Sequence, residues 1–286
     1  MNLDLKEITF IIVSYKAKKI IYNCINSLPK FSKKIVVENS YDRDLKSDLE
    51  SKYDNIEVIL NENQGMGASN NIGIKKTTTK YAFILNPDVL FKENTFLNLI
   101  EAIKNIDNFS IISPINEDKN FPNYKIKNNY PIIHDHIMEV DTIDGFSMLI
   151  NKTKFEDQIY FDENFFLYLE NTDLCIRQKN KNEKIFIIKN SEIKHIGSYT
   201  TKLDQSNNLE YIRNWHWMWS KFYFNRKHHG YTTALLKTLK NLVSASLKYL
   251  FYALIFNRHK RTIYKMRILG LVNSMIGKKS YLRPNN

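Results

Sequence analysis

Acidic residues stop at Glu210: from Tyr211 to Asn286 there is no aspartate or glutamate, against fifteen lysines and arginines. The 210 residues before Tyr211 hold all 30 acids and the other 27 bases, a net of −3, so the formal charge of +12 belongs to the C-terminal quarter. A mildly acidic body with a basic tail points to an anionic partner for the tail, either nucleic acid or anionic lipid. Cysteine is almost absent. Cys24 and Cys175 form no CxxC pair, which excludes a disulfide framework and fits a reducing compartment. A run of 18 or more apolar residues is also missing. The nearest, Asn241 to Phe256, is broken by Lys248, too short and too marked for a spanning helix. Met1 to Glu7 is polar and the apolar run after it ends at Val13, so no secretory leader is expected. There is no Gly-Lys-Ser/Thr, which excludes the phosphate loop of ATPases, no dinucleotide-binding fingerprint and no internal repeat.

What remains is an ordinary globular composition, 43% hydrophobic and 25% charged, with room for one large domain and a helical appendage. Ile8 to Val13 is continuously apolar and reads as a strand buried on both faces. Lys18 to Leu28 reads as a helix, Lys34 to Val37 and Ile56 to Leu60 as strands, and Met66 to Lys76 as a short helix. Tyr81 to Leu85 reads as a strand and Asn94 to Asn105 as a helix. This alternation predicts an α/β fold with a mostly parallel sheet, whose ligands sit beyond the carboxyl ends of the strands. Glu117 to Asp135, with Pro122 and Pro131, reads as an irregular excursion. The pattern resumes with a strand from Phe146 to Ile150, a helix beginning at Phe165 and running to Arg177, and a strand from Ile185 to Ile188. Near Leu209 the texture changes to tryptophan- and tyrosine-rich sequence. Two long helical patterns follow, Thr232 to Phe256 and Thr262 to Ile276. The expected division is 1–208, a catalytic α/β domain, and 209–286, a basic amphipathic helical region.

The polar residues after the strands are the candidates for chemistry. Asn86-Pro87-Asp88 follows a buried strand. A rim carboxylate there can hold a hard divalent cation that in turn holds phosphates; the same triplet also makes a good type I turn. Asn63 to Gly73 is rich in glycine and opens a helix, which brings backbone N–H groups to a ligand or simply caps the helix. Ser14-Tyr15 and Glu38-Asn39-Ser40 follow the first two strands; a carboxylate and amide there can read a base edge or ribose, or cap the next segment. Glu170 and Asp173 share a helix face, with Arg177 four residues beyond Asp173. They are either a general base with its support or, for Asp173 and Arg177, a plain helix salt bridge. His195, before Gly197-Ser198, is a structural histidine or, if near Asp88, a further metal ligand.

Taken in order, "FIIVSY", "VVENS", "NENQGMGASNNIGI", "FILNPDV", "DGFSMLI", "FDENFFLYLENTDLCIR" and "KHIGS" resemble glycosyltransferase family 2, in its rhamnosyltransferase-like branch, over about residues 8 to 200. The resemblance implies a GT-A fold: a Rossmann-like, mostly parallel sheet flanked by helices, here with a C-terminal helical appendage. It implies that Ser14, Tyr15, Glu38 and Asn39 line the base and ribose pocket, and that Gly65, Gly67, Asn70 and Asn86 lie beside the nucleotide. Asp88 would be the metal carboxylate and His195 would complete the site for Mg²⁺ or Mn²⁺. Asp144 and Gly145 would lie where donor sugar and acceptor meet. Two positions depart from the pattern. The second-strand acid is Glu38 where Asp is usual, and the usual Glu-Asp pair reads Glu170-Asn171. An amide accepts no proton as a carboxylate does, so the base falls to Glu170 or Asp173, with Glu170 favoured. The implied reaction is a single displacement with inversion, from a dTDP-, UDP- or GDP-linked sugar to a glycan or lipid-linked glycan acceptor in cell-surface polysaccharide synthesis.

Lys237, Lys240 and Lys248 recur on a helix otherwise rich in Leu, Val, Tyr and Phe. That pattern reads as an element on the inner face of the cell membrane, or as a helix packed on the catalytic domain with solvated lysines. No nucleic-acid module is present, so nucleic acid is not expected as a partner. Two rival functions stand beside glycosyl transfer. A sugar nucleotidyltransferase would need a glycine-rich N-terminal loop, and Ser14-Tyr15-Lys16 has no glycine. A catalytically impaired family member acting as a membrane-associated binding partner rests on Asn171.

Overall fold

The computed structural model describes residues 5–128, 130, 131, 134–197 and 207–284. It divides into two compact units, one of Met1–Asp162 with Asn171–Tyr199 and one of Glu163–Glu170 with Thr200–Asn286.

The first unit is built on one large sheet. Its strands are β1 (Ile8–Ser14), β2 (Lys33–Glu38), β3 (Ile56–Leu60), β4 (Tyr81–Leu85), β5 (Val89–Phe91), β6 (Ile111–Asn116), β8 (Ile137–Glu139), β10 (Ser147–Asn151) and β11 (Ile185–His195). The order is β3-β2-β1-β4-β10-β6-β11-β5, with β8 also on β11. β3, β2, β1 and β4 run parallel, and β10 is antiparallel to both β4 and β6. A small second ladder joins β7 (Tyr124–Lys125) to β9 (Thr142–Ile143).

β1 is continuously apolar because both its faces are covered. Ile8, Phe10 and Ile12 point into one core, where Phe10 stacks on Phe83 at 5.2 Å. Helices α1 (Lys18–Ser27), α2 (Arg43–Lys52) and α4 (Thr95–Lys104) cover that face with Ile21, Cys24, Leu45, Leu49, Leu99 and Ile103. Ile11 points to the other face, where Ile74 of α3 (Met66–Lys76) and Leu174 and Cys175 of α5 (Glu170–Asn180) pack with Ile84, Met148 and Ile150.

The expected strands and helices of the first hundred residues are present. α2 adds a helix where the sequence is too polar to signal one: it buries Leu45 and Leu49 and is started by Asp42, whose side chain accepts from the Leu45 N–H at 2.8 Å. Two expectations are corrected. The helix expected from Phe165 begins at Glu170, because Tyr168 and Leu169 both take left-handed backbone, φ 72° and 69°. The strand expected over Ile185–Ile188 continues to His195, because an irregularity between Ile188 and Glu192 absorbs the polar Lys189 and Asn190 and lets the ladder with β6 resume. Asn129, Ile132 and Ile133 of the polar excursion, and Ser198, lie outside the described residues.

The second unit is helical: α6 (Asn208–His229), α7 (Tyr231–Leu254) and α8 (Arg258–Met275). Met218 and Phe222 of α6, Ala234 of α7 and Leu271 of α8 form its core. α6 and α8 approach so closely at Gly270 that a Cβ there would lie 2.1 Å from the Trp215 carbonyl oxygen.

Candidate active site

The parallel strands end together. Ser14 is in register with Glu38, and Ile12 with Leu85. The carboxyl ends of β1, β2 and β4 therefore present Ser14, Glu38-Asn39 and Asn86-Pro87-Asp88 along one edge. Antiparallel β10 begins at that edge: Ser147 pairs with Leu85, and the Asn86 N–H donates to the Phe146 carbonyl at 2.9 Å. His195 at the end of β11 pairs with Val89, just after Asp88. Sheet topology thus gathers residues more than a hundred positions apart.

Several of these groups are buried with a polar atom left over. Ser14 and Glu38 are fully buried. Glu38 Oε1 accepts from the Ser40 N–H at 2.7 Å and lies against the Ser40 hydroxyl, while Glu38 Oε2 has no hydrogen-bond partner. Ser14 Oγ, Asn70 Oδ1 and Asn86 Oδ1 are buried without partners in the same way. Folded chains rarely leave such atoms bare, and several together along one strand-end edge suit a ligand or water site. Asn39 is engaged inward instead: its Oδ1 accepts from Asn61 Nδ2 at 2.8 Å and lies 2.9 Å from the Ser69 hydroxyl. This ties β2 to the first turn of α3. Tyr15 is half-buried beside Lys16, whose ammonium lies 5.4 Å from the ring centre.

α3 opens on Gly65, whose φ of 102° favours glycine and whose lack of a side chain leaves the first turn, including buried Gly67, without a side-chain cap. A first turn without a side-chain cap can present its N–H groups to a ligand.

Asp88 Oδ1 lies 3.4 Å from His195 Nε2. The imidazole is fixed by stacking on Phe146, ring centres 4.0 Å apart. Two neighbouring ligands on one six-coordinate ion, each at about 2.1 Å, would be about 3 Å apart, so the pair suits a shared divalent cation. Among the described residues no three His, Cys, Asp or Glu side chains assemble into a metal site. Cys24 lies under this corner, its Sγ 3.6 Å from the Asn86 carbonyl; burial first, and then the Asp88 charge, push its thiol up and keep it inert.

Asp144 and Gly145 form the turn before β10. Burial raises the Asp144 carboxyl above the usual range, against the pull of Lys125 and His195. Its N–H donates to the Asn123 carbonyl at 2.8 Å. The fully buried Asn123 side chain holds β6 through the Asn116 N–H and the Pro114 carbonyl, at 2.9 Å each. Asn123 sits in the polar excursion, where its sequence carries no signal of this role. Phe146 and Ser147, whose buried hydroxyl also lacks a partner, were equally silent in sequence.

The residues of α5 separate. Asn171 Nδ2 donates to the Ile143 carbonyl at 2.8 Å, and Asn171 Cβ is 3.3 Å from where a Gly145 Cβ would lie. The amide therefore ties α5 to the Asp144-Gly145 turn by a bond that a carboxylate could not donate. Asp173 is fully buried and bound to Arg177 Nε at 2.9 Å; Arg177 also donates to the Ile159 carbonyl at 3.1 Å and to the Tyr160 carbonyl. That is the plain helix salt bridge, closed into a network. Glu170, the first residue of α5, is buried with Oε2 unpartnered, and burial raises its carboxyl to about 7.

The segment just before Glu170 belongs to the helical unit. Tyr168 Oη accepts from Arg213 Nε at 2.8 Å and its ring meets Trp217 edge-on; Ser220 Oγ donates to the Leu167 carbonyl at 2.8 Å. Two successive left-handed non-glycine residues, Tyr168 and Leu169, carry a cost of about 1–3 kcal/mol each, and these contacts are what hold them.

A model of glycosyl transferase family 2 matches residues 9–172, more than half of the chain. The chain belongs to glycosyltransferase family 2. This family 2 chain is 28% identical over 200 residues to the low-salt glycan biosynthesis hexosyltransferase Agl10 of Haloferax volcanii, covering 63% of the chain and 64% of that protein. It is 25% identical over 173 residues to the rhamnosyltransferase WbbL of Escherichia coli K12, covering 50% of the chain and 65% of that protein. It thus spans just under two thirds of the curated relatives it matches. Among solved structures it is similar to the mannosyltransferase PcManGT of Pyrobaculum calidifontis, in complex with GDP-Man and Mn²⁺, at a TM-score of 0.58 and 12% identity over 96% of this chain and 88% of that one. It is also similar to GalNAc-T7 with UDP, GalNAc and Mn²⁺, at a TM-score of 0.55 and 13% identity over 67% of this chain and 44% of that one. The fold is GT-A.

Proposed function

We propose that this family 2 chain transfers a hexosyl group, of rhamnosyl type, from a nucleoside-diphosphate sugar to an acceptor hydroxyl with inversion. The single observation that carries the reading is the set of buried polar atoms without partners on Ser14, Glu38 and Asn86 at the strand-end edge and on Asn70 of α3, with the Asp88–His195 pair at the same edge. Donors and acceptors in that pattern suit a nucleotide. Glu38 Oε2 accepts from ribose hydroxyls or a base N–H, with Ser14 and Tyr15 beside it, and Asn39 holds the pocket wall. The first turn of α3, with Gly65, Gly67 and Asn70, offers N–H groups to the phosphates.

Asp88 and His195 would hold a divalent cation, Mg²⁺ or Mn²⁺, with phosphates and water as its remaining ligands. When bound, the cation supplies neutralisation of the diphosphate charge. Glu170 acts as the base: its carboxylate takes the acceptor hydroxyl proton as that oxygen bonds to the anomeric carbon and the carbon–diphosphate bond breaks. A carboxyl raised to about 7 is well matched to that task near neutrality. Asp173, held by Arg177, fixes α5. Asn171, as a tether of the Asp144-Gly145 turn, has a reason to be an amide that leaves the enzymatic reading intact. The acceptor is a glycan, lipid-linked, on the cytoplasmic side of a membrane, in cell-surface polysaccharide assembly. Residues 1–208 would carry the chemistry and 209–286 the attachment.

Calorimetry with UDP, GDP and dTDP in the presence of Mn²⁺ tests the site. At least one is expected to bind, and Asp88→Ala to weaken it tenfold or more. Absence of binding by all three would overturn the reading.

A further inference from the structure

α7 is apolar on two opposite sides. One side carries Ala234, Thr238 and Ala245, all buried, with Leu235 and Leu242 packed on the core formed with α6 and α8. At 100° per residue the other side carries Leu236, Leu239, Val243, Leu247, Leu250 and Leu254, within about 60° of one line. All six are exposed, Leu236 and Leu254 to 76% and 77%. The helix therefore buries one apolar face in the fold and leaves a second bare. From Leu236 to Leu254 that second stripe runs about 27 Å along the helix at 1.5 Å per residue. Monomeric proteins seldom leave such a row uncovered.

The charges beside it decide what covers it. Lys240 borders the stripe and Lys237 lies farther round on the same side, while Lys248 turns toward α8, its ammonium 5.4 Å from the Tyr264 ring centre; no acid occurs from Tyr211 to Asn286. Phe256, exposed to 88%, continues the apolar surface past the helix end, and Arg258, Lys260 and Arg261 follow at once. A second copy docked on this face would bring two acid-free basic surfaces together. An anionic bilayer complements it: the leucines enter the acyl boundary and the lysines stay at the headgroups. The helix lies in the plane and does not cross, since no helix among the described residues is long and apolar enough to span a membrane and the inner face of α7 is committed to α6 and α8.

We infer that the Leu236–Leu254 face of α7 is a docking surface for an anionic lipid bilayer, with α7 lying flat in the interface. The inference gives the membrane-side acceptor of the proposed function a surface, but it needs no nucleotide or transfer chemistry, so the two readings fail separately.

The full-length chain is sedimented with vesicles of phosphatidylcholine mixed with phosphatidylglycerol and with phosphatidylcholine alone. Binding to the mixed vesicles is expected to be at least tenfold tighter than to the neutral ones and to weaken with salt. Leu247→Glu with Leu250→Glu is expected to lower it tenfold or more. In parallel, a spin label on Leu247→Cys in the otherwise unchanged chain is expected at acyl depth, while one on Lys237→Cys stays aqueous. Cys24 and Cys175 are fully buried and do not compete for the label. Failure to bind mixed vesicles would overturn the inference. So would unchanged binding by the double variant, an aqueous label at position 247, or a dimer in sedimentation velocity that the double variant dissolves.

Discussion

Glu170 is a carboxyl group that folding makes harder to ionise. Burial dominates, and its folded value of about 7 stands above the ordinary 4.5. Below 4.5 both folded and unfolded chains hold the proton. Between 4.5 and 7 the unfolded chain has released it and the folded chain has not, so stability falls as pH rises through that window. The full penalty at pH 8 is about 3 kcal/mol. Glu170→Gln removes the penalty with the base. Its unfolding free energy at pH 8 is expected to exceed the wild type's by up to about 3 kcal/mol, while transfer falls about 10²–10⁴-fold. Wild-type kcat/KM is expected to rise with pH and level off above about 7. Chemical denaturation at pH 5 and pH 8, with a rate–pH profile, checks both. Equal stability of the two proteins at pH 8 would mean that burial does not raise the Glu170 carboxyl. The reasons for Asn171 and Asp173 were open in the sequence for a physical cause: whether an acid at a helix start serves as base or strut depends on which groups from distant strands reach it. The Ile143 carbonyl, which accepts from the Asn171 amide, and the Tyr160 carbonyl, which accepts from Arg177, the partner of Asp173, come from segments outside the helix, and spacing does not reveal them.

At the scale of elements, continuously apolar strands were the most legible feature, because burial on both faces leaves an unbroken run such as Ile8–Val13. α2 was illegible because two leucines in ten residues are a faint stripe. The true start of α5 was illegible because nothing in Tyr168 or Leu169 announces left-handed backbone; contacts with Arg213, Trp217 and Ser220 impose it. The close crossing of α6 and α8 at Gly270 is a similar long-range demand. Gly270→Ala would drive a Cβ into the Trp215 backbone, a neighbour that cannot rotate away. The expected cost is about 1–3 kcal/mol, as for overpacking, seen as a lower thermal midpoint and earlier loss of the tryptophan near-ultraviolet signal. An unchanged midpoint would mean that the two helices part without penalty.

For the whole molecule, the uneven charge was readable from sequence, but its meaning came from the second apolar face of α7. A helical pattern does not say which apolar residues the fold uses and which it leaves bare. The candidate site was legible only as a set of strand ends, since parallel sheets present those ends together. The partners that position it, Phe146 against His195 and Asn123 under Asp144, come from packing between segments distant in sequence. The central claim is that this edge turns over a nucleotide sugar. The measurement that tests it most directly is nucleotide release from UDP-, dTDP- and GDP-linked sugars, with and without Mn²⁺, by wild type and Asp88→Ala. The account predicts Mn²⁺-dependent release from one donor class, reduced at least tenfold by Asp88→Ala. Release that is equal in the variant, or that is absent from every donor when an acceptor glycan extract is supplied, would contradict it.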